Sequence, residues 1–299
     1  KIRIGYFSAD FKDHPVTHVI TPLLESHNKE IFEIFLYSFS VKEDSYTNKL
    51  KNLGCIFKNI SEFDEQEIIK LVRSDNLNIA IDLMGYTSEN RFYIFRNRIA
   101  PTQINYLGFP GTMGSKFYDY IIGDKLIIPK KDEKFYTEKV LKLNHFFPPN
   151  RFIRDLSSEF SLSKKDFKIP QNAFIFTCFN ASKKITPKEF DIWMNLLNKI
   201  EDSILWLSKV NDFSVINLKK EAEKRNIDPE RIIFAERLEK KEQHLARYKI
   251  SDLGLDTFNY NGHTTTSDAL WSGLPVLTKI GKSFASRVAA SILNSLDLN

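Results

Sequence analysis

An α/β fold with two domains, each a parallel sheet flanked by helices, is what this sequence predicts, and three observations carry the prediction. Short β-rich apolar runs alternate with amphipathic stretches along the chain, the signature of strand–helix–strand units with parallel strands. The alternation breaks once, between about Pro148 and Pro170. There Pro148-Pro149, several Ser and Lys, and the lack of a long apolar run read as a linker. At 299 residues the chain has room for two domains of ordinary size. The expected division is a Rossmann-like domain over residues 1–155 and a second over 156–299, facing one another across a cleft.

In order, the strand candidates are Ile2–Ser8, Ile34–Phe39, Cys55–Asn59, Ile79–Met84, Gln103–Leu107, Tyr120–Gly123 and Val140–Leu143. After the break come Phe174–Phe179, Ile204–Leu207, Arg231–Phe234, Leu253–Asp256 and Val276–Thr278. Each is a short β-rich apolar run. Helix candidates between them are His14–Ser26, which has Pro15 at its start, then Ser45–Asn52, Asp64–Arg73 and Asn90–Asn97. The second half adds Pro187–Lys199, Val215–Arg225, Lys241–Arg247, Thr265–Trp271, which stops before Gly273, and Phe284–Ser295.

Composition narrows the function classes. The chain is 42% hydrophobic and 27% charged, with a net charge of +5 spread among interleaved acids and bases. Such an excess suits a small anionic ligand, and without a basic block or a nucleic-acid-binding signature it argues against nucleic acid as partner. Apolar runs are strand-sized, so no membrane span is expected. No signal peptide is read in the sequence, and a cytoplasmic location is the expectation. Cys55 and Cys178 lie far apart in apolar surroundings and read as core residues, with neither a disulfide nor a thiolate metal site. Neither domain's first strand leads into Gly-x-Gly-x-x-Gly, which argues against a dinucleotide oxidoreductase, and no P-loop motif occurs.

The most informative stretch is Asp256 to Leu277. A strand runs into a polar turn with Gly262, His263 and three consecutive Thr, then into a short helix and another strand. A helix start capped by hydroxyls, with unpaired N–H groups aimed into the turn, is an anion seat. Asp268, one turn on, is placed to reach a ribose hydroxyl. The stretch therefore suggests the holding of a nucleotide diphosphate.

Several motifs resemble one family. Ile4-Gly5-Tyr6-Phe7-Ser8-Ala9-Asp10-Phe11-Lys12-Asp13-His14-Pro15 resembles the opening of the catalytic region of the protein O-linked N-acetylglucosamine transferases, glycosyltransferase family 41. Arg98-Ile99-Ala100-Pro101-Thr102-Gln103 and Gly108-Phe109-Pro110-Gly111-Thr112-Met113-Gly114 resemble its central stretch, continued by Asp119 to Asp124. The Asn261-Gly262-His263-Thr264-Thr265 turn and Ser283 to Ser291 complete the set, in the family's order along nearly the whole chain. The resemblance implies a GT-B fold and an inverting transfer, without metal or cofactor, from a UDP-sugar to Ser or Thr hydroxyls of proteins. N-acetylglucosamine is the favoured sugar. It also implies upstream TPR repeats that recruit acceptor proteins, and a catalytic region running past Asn299, so the chain reads as a piece truncated at both ends. A fucosyl-transferring relative is expected to carry Gly where this chain has His263.

Residue by residue, His14 follows the first strand, where α/β ligands bind. A His there can cap or pack; the resemblance makes it an active-site group near the sugar or acceptor. Asp75 matches another proposed proton acceptor, although a helix-terminal Asp is commonly just solvated. Lys184 is either a solvated Lys before a helix or, by resemblance, the cation on the leaving diphosphate. The family carries Tyr before this Lys and Gln or Asn three residues before it, where this chain has Lys183 and Ala181. His263, Thr264 and Thr265 are assigned to the diphosphate and Asp268 to the ribose. By resemblance His244 stacks on uracil, supported by Lys241 and Arg247. Gly108, Pro110 and Gly111 belong to a backbone loop facing the sugar. Three other readings stay open: a non-catalytic UDP-binding module, a sugar-nucleotide epimerase or hydrolase, and a transferase using another sugar or a lipid or glycan acceptor.

Overall fold

The computed structural model describes residues 1–144, 162–238 and 240–298. The chain divides into two compact units, Lys1–Phe152 and Ile153–Asn299. The expected linker centre and the boundary after residue 155 lie outside the described residues.

The first unit runs β1 (Ile2–Ser8), α1 (Pro15–Ser26), β2 (Phe32–Ser38), α2 (Ser45–Lys51), β3 (Ile56–Asn59), α3 (Glu65–Ser74), β4 (Ile79–Asp82), β5 (Thr102–Asn105), β6 (Tyr120–Asp124) and β7 (Lys139–Leu143). Its seven strands are parallel in the order β3-β2-β1-β4-β5-β6-β7. Helix starts are specified locally. Asp64 accepts the Glu67 N–H at 2.9 Å while the Glu67 carboxylate accepts the Asp64 N–H at 2.9 Å, a reciprocal cap that satisfies two otherwise orphaned donors. Behind the sheet, Phe7 stacks on Tyr37 at 4.5 Å and meets the edge of Phe95 at 5.3 Å.

The second unit runs β8 (Phe174–Cys178), α4 (Pro187–Lys199), β9 (Ser203–Ser208), α5 (Asp212–Glu223), β10 (Ile232–Ala235), α6 (Lys241–Tyr248), β11 (Leu253–Leu255), α7 (Thr264–Trp271), β12 (Val276–Leu277) and α8 (Val288–Asn294). Its strands are parallel in the order β10-β9-β8-β11-β12. Trp206 is wholly buried between Phe167 and Phe179.

All twelve expected strands form, with ends shifted by a residue or two. The helices depart in three places. The segment before Arg98 is a 3-10 turn over Phe92–Asn97, closed by Arg98 in the left-handed region (φ 46°). Helix α5 begins three residues early because the Asn211 side chain accepts the Ser214 N–H at 2.8 Å and caps it. The last helix is interrupted at Arg287, whose Nε turns back to the Gly281 carbonyl at 2.9 Å. Cys55 is half-buried rather than a core residue, whereas Cys178 is buried; both are free thiols.

Both sheets have the same consequence for ligands. From β1 the chain winds outward through β2 and β3, then returns to place β4 on the other side of β1; β8 and β11 are related in the same way. At such a reversal the loops leaving two neighbouring strands part to opposite faces, opening a crevice at the carboxyl ends. In the first unit that edge carries Asp10, His14 and the Gly85–Asn90 turn. In the second it carries Asn180–Lys184 and Asp256–Thr265.

Candidate functional site

The site in the second unit is organised by a residue to which sequence reasoning gave no role. Asp256, 3% exposed, follows β11. One carboxylate oxygen accepts from Asn180 Nδ2 (2.9 Å), Thr257 N (2.8 Å) and Gly262 N (2.6 Å); the other accepts from Thr278 Oγ1 (2.6 Å). Burial pushes this carboxyl up, opposed by those hydrogen bonds. Four donors aimed at an acceptor-only group are satisfied by the carboxylate. The readable signal was an acid closing an apolar strand ahead of Asn261-Gly262. Asn180, missed in the same way, hands the network on: its Oδ1 accepts the Thr265 hydroxyl at 2.6 Å. Turned inward, it does not replace the amide absent at Ala181. Gly262 has no room for a side chain, since a Cβ would lie 2.5 Å from Thr266 Oγ1 and 2.6 Å from Thr265 Oγ1.

Lys184 reaches the same turn. Its ammonium donates to the Asn261 carbonyl at 3.0 Å and lies 3.9 Å from the centre of the Tyr260 ring. Burial lowers its pKa to about 8, against the pull of the Asp256 carboxylate. Asn261 entered the sequence reading only as part of the Asn261–Thr265 turn, and Tyr260 was given no role there.

The expected hydroxyl cap of α7 is not there. The N-cap is His263, with no side-chain cap; Thr265 bonds Asn180, and the Thr266 hydroxyl donates to the Gly262 carbonyl at 2.9 Å. The first-turn N–H groups of Thr264, Thr265 and Thr266 lack intrahelical partners by position, which is the arrangement that can take an anion. His263 also differs from expectation. Its Nε2 lies 3.3 Å from the Ala285 carbonyl, and burial holds its pKa at about 3. A carbonyl only accepts, so Nε2 carries the proton of a neutral ring and Nδ1 is an acceptor. His263 therefore does not donate to a phosphate from Nδ1.

Around α6 the structure brings Lys241 and Asp268 together: Lys241 Nζ lies 2.5 Å from Asp268 Oδ2, with Asp268 buried. The bidentate grip of Asp268 on a ribose is thus corrected, because one oxygen is committed to an ammonium. Arg247 is corrected too. It is 4% exposed, lies 4.2 Å from the Phe179 ring centre and donates to the Glu236 carbonyl at 2.9 Å. It supports the loop entering α6 and does not present itself to a ligand. His244, half-buried beside Phe179 and Tyr248, is kept neutral by burial and by Arg247 and Lys241, with its pKa lowered to about 3. A neutral ring is suited to stacking on a base.

In the first unit His14 caps α1, its Nδ1 accepting the Val16 N–H at 3.3 Å, with Asp10 Oδ2 at 3.3 Å from the same nitrogen. Asp75 does not join it. Its carboxylate is held by Lys58 Nζ and the Tyr37 hydroxyl, each at 2.6 Å, and its carbonyl accepts from Arg3 at the opening of β1. His14 lies beyond the other end of that seven-residue strand, so the catalytic assignment of Asp75 falls. The Gly108–Gly111 loop follows β5 as expected, but for a different reason: a Cβ on Gly108 would stand 1.9 Å from the Leu83 carbonyl oxygen. That glycine allows two backbones of the unit to touch. Pro110 is half-buried, and the Gly111 carbonyl accepts from Asn105 Nδ2 at 3.0 Å.

Two units of this kind, each a parallel sheet with a reversal in strand order, define a GT-B glycosyltransferase fold. A solved Lys-to-Met variant of the Thermobaculum terrenum O-GlcNAc transferase superposes with a TM-score of 0.92 at 29% identity, over 100% of this chain and 56% of that one. The family model for glycosyl transferase family 41 matches residues 1–162 and 155–299, and the chain belongs to that family. A probable UDP-N-acetylglucosamine–peptide N-acetylglucosaminyltransferase, SEC, of Arabidopsis thaliana is 33% identical over 98% of the chain and 30% of its own length. The corresponding enzyme of Caenorhabditis elegans is 26% identical over 99% of the chain and 35% of its own. The chain thus spans about a third of the curated relatives it matches. Anabaena HepE shares the fold alone, with a TM-score of 0.55 at 11% identity. Among the described residues no helix is long and apolar enough to cross a membrane.

Proposed function

We propose that this chain is the catalytic region of an inverting, metal-independent transferase that moves a sugar, N-acetylglucosamine first among candidates, from its UDP derivative to Ser or Thr hydroxyls of proteins. The observation that carries the reading is the convergence of Lys184, Gly262 and the first-turn amides of α7 at the sheet reversal around Asp256. The family and the names of its relatives support the donor and the acceptor class. In this reading the diphosphate lies on Lys184 and the amides of Thr264 and Thr265. The uracil lies against His244, and the ribose beside the Lys241–Asp268 pair. His14 serves the acceptor side. The hydroxyl oxygen attacks the anomeric carbon as the bond to the β-phosphate breaks, and the electron pair leaves with UDP. Lys184 and the helix amides stabilise the charge that develops there. Recruitment of acceptors by TPR repeats elsewhere in the protein, and action in the cytoplasm, belong to the same proposal.

The test is transfer by the full-length protein with a panel of UDP-sugars, followed by intact mass of candidate acceptor proteins. The expected result is a mass increment of one N-acetylhexosamine on acceptor protein with UDP release. Release of free sugar alone, or UDP binding without turnover, would replace the reading with a hydrolase or a binding module.

Lys184 gives the reading a pH signature. With a free-state pKa of about 8, the ammonium is present at neutral pH and lost above it. A bound diphosphate favours the charged form, so binding above pH 8 takes up a proton. UDP affinity is therefore expected to be level below pH 7 and to fall about tenfold per unit above pH 8. Calorimetry in buffers of different ionisation enthalpy checks both slope and proton uptake. A level profile to pH 9.5 would remove Lys184 from the phosphates.

A further inference from the structure

In the second unit, Lys184 carries a half-buried ammonium that forms no ion pair among the described residues. Asp256 pulls on it without bonding it, because the carboxylate oxygens of Asp256 are given to four other donors. Two groups do touch the ammonium. The Asn261 carbonyl accepts from it at 3.0 Å, and the centre of the Tyr260 ring stands 3.9 Å from Nζ. That is well inside the ~6 Å over which the face of an aromatic ring attracts a cation. An ammonium has three donors, so donor capacity remains for an anion. The ring is itself fixed in place. The Thr257 hydroxyl donates to the Tyr260 carbonyl at 2.6 Å and accepts from Asn180 Nδ2 at 2.9 Å. The Tyr260 ring packs on that of His263, with centres 4.9 Å apart and planes tilted by 33°. Tyr260 is thus tied to the same Asp256–Asn180 network that shapes the turn.

We infer that Tyr260 is the positioning residue for Lys184: the face of its ring holds the ammonium, charged, against the Asn261 carbonyl just ahead of α7. The inference lies within the second unit, and it rests on the transferase reading above only for what the ammonium then meets, the diphosphate. Burial disfavours the charged form of Lys184. The negative face of an aromatic ring offsets that cost without being an anion. A carboxylate in the same place would repel an arriving diphosphate and compete with it for the ammonium; an uncharged ring does neither. Burial raises the Tyr260 phenol above its ordinary range, so the ring stays neutral at working pH. The other groups acting on Lys184 are Asp256, which raises its pKa, and Lys183, which lowers it. Cys178, pushed up to about 12 by burial, and His263, held at about 3, are neutral between those values. If the ring were apolar packing alone, a leucine of similar reach would serve Lys184 as well.

Two measurements on the full-length protein test this. The first titrates Lys184 itself by NMR with ε-¹³C-labelled lysine, its resonance assigned by its loss in Lys184→Arg. Tyr260→Leu is expected to lower the Lys184 pKa by about one unit, the size of a cation–ring attraction in a partly dry place. Tyr260→Phe, which keeps the ring face, is expected to leave it nearly unchanged. Placing phenylalanine and then its difluoro and trifluoro derivatives at position 260 weakens the ring face with little change of shape, and the Lys184 pKa should fall stepwise along that series. The second measurement is calorimetry with UDP. In Tyr260→Leu the affinity should be nearly that of the wild type at pH 6 and about fivefold weaker at pH 8, a pH-dependent loss that general damage to the turn would not produce. An unchanged Lys184 titration in Tyr260→Leu overturns the inference. So does a flat fluorinated series, which remains decisive if Tyr260→Leu fails to fold. If UDP does not bind the wild type, or binds with an affinity indifferent to pH, the transferase reading fails separately. The Lys184 titration, made without nucleotide, still decides whether Tyr260 holds the ammonium.

Discussion

Replacing Lys184 by Ala is expected to lower turnover by about 10²–10³-fold, the range for loss of one group that stabilises developing charge, while weakening UDP binding far less. The ammonium stands between the Asn261 carbonyl and the Tyr260 ring, in surroundings dry enough to lower its pKa to about 8. In so dry a place a cation interacts strongly with nearby charge. In the bound donor the bridging phosphate oxygen is still bonded to carbon; in the transition state it is gaining the electron pair. An interaction that strengthens along that coordinate appears in kcat rather than in affinity. Lys184→Arg is not expected to restore the rate, because a planar fork does not fit a spot shaped around a single nitrogen. Stopped assays for kcat and calorimetry for UDP separate the two effects. Near-normal turnover in Lys184→Ala would show that another group carries the leaving charge.

A second large effect is expected at Asp256, this time on stability. Asp256→Ala removes the acceptor of four hydrogen bonds beneath the turn. Side chains such as Thr278 can turn away, but the Thr257 and Gly262 amides are part of the backbone. At ~1–3 kcal/mol for each donor left dry, the second unit should lose about 3–5 kcal/mol, read as a lower denaturant midpoint for that unit. Asp256→Asn keeps an acceptor oxygen for the backbone amides and should lose much less. It also deletes the charge that raises the Lys184 pKa. The pH at which UDP affinity begins to fall should therefore move below 8 in Asp256→Asn. An equal stability loss in both variants would mean that volume, not hydrogen bonding, is what the site needs from this residue.

Much of this molecule follows from local physics. Most strands were legible because a parallel strand covered on both faces is a short apolar run, while the edge strands β3 and β7 keep exposed positions; helix starts were legible where Pro or a capping side chain marks them. The exceptions share a cause: Asn211 starts α5 ahead of the first apolar position, and Arg287 breaks the last helix by reaching back to Gly281. In both, a side chain seeking a backbone partner outweighed periodicity. For the site, the resemblance of short motifs led to His14 and His263, whose neighbours in sequence form the pattern, and position along the family's order led to Lys184 and His244.

The sequence by itself determined the two α/β units and the glycine- and threonine-rich turn between strand and helix, since these depend on spacing along the chain. Only the tertiary structure decided what each polar group is bonded to. Asp256 became the centre of the turn, Asp268 was paired with Lys241, Arg247 was buried under a loop, and Asp75 was left at the far end of β1. The physical reason is that a buried polar group must find its partner in space. Such partners, Asn180 and Asp256 for example, stand 76 positions apart, beyond the reach of any local pattern.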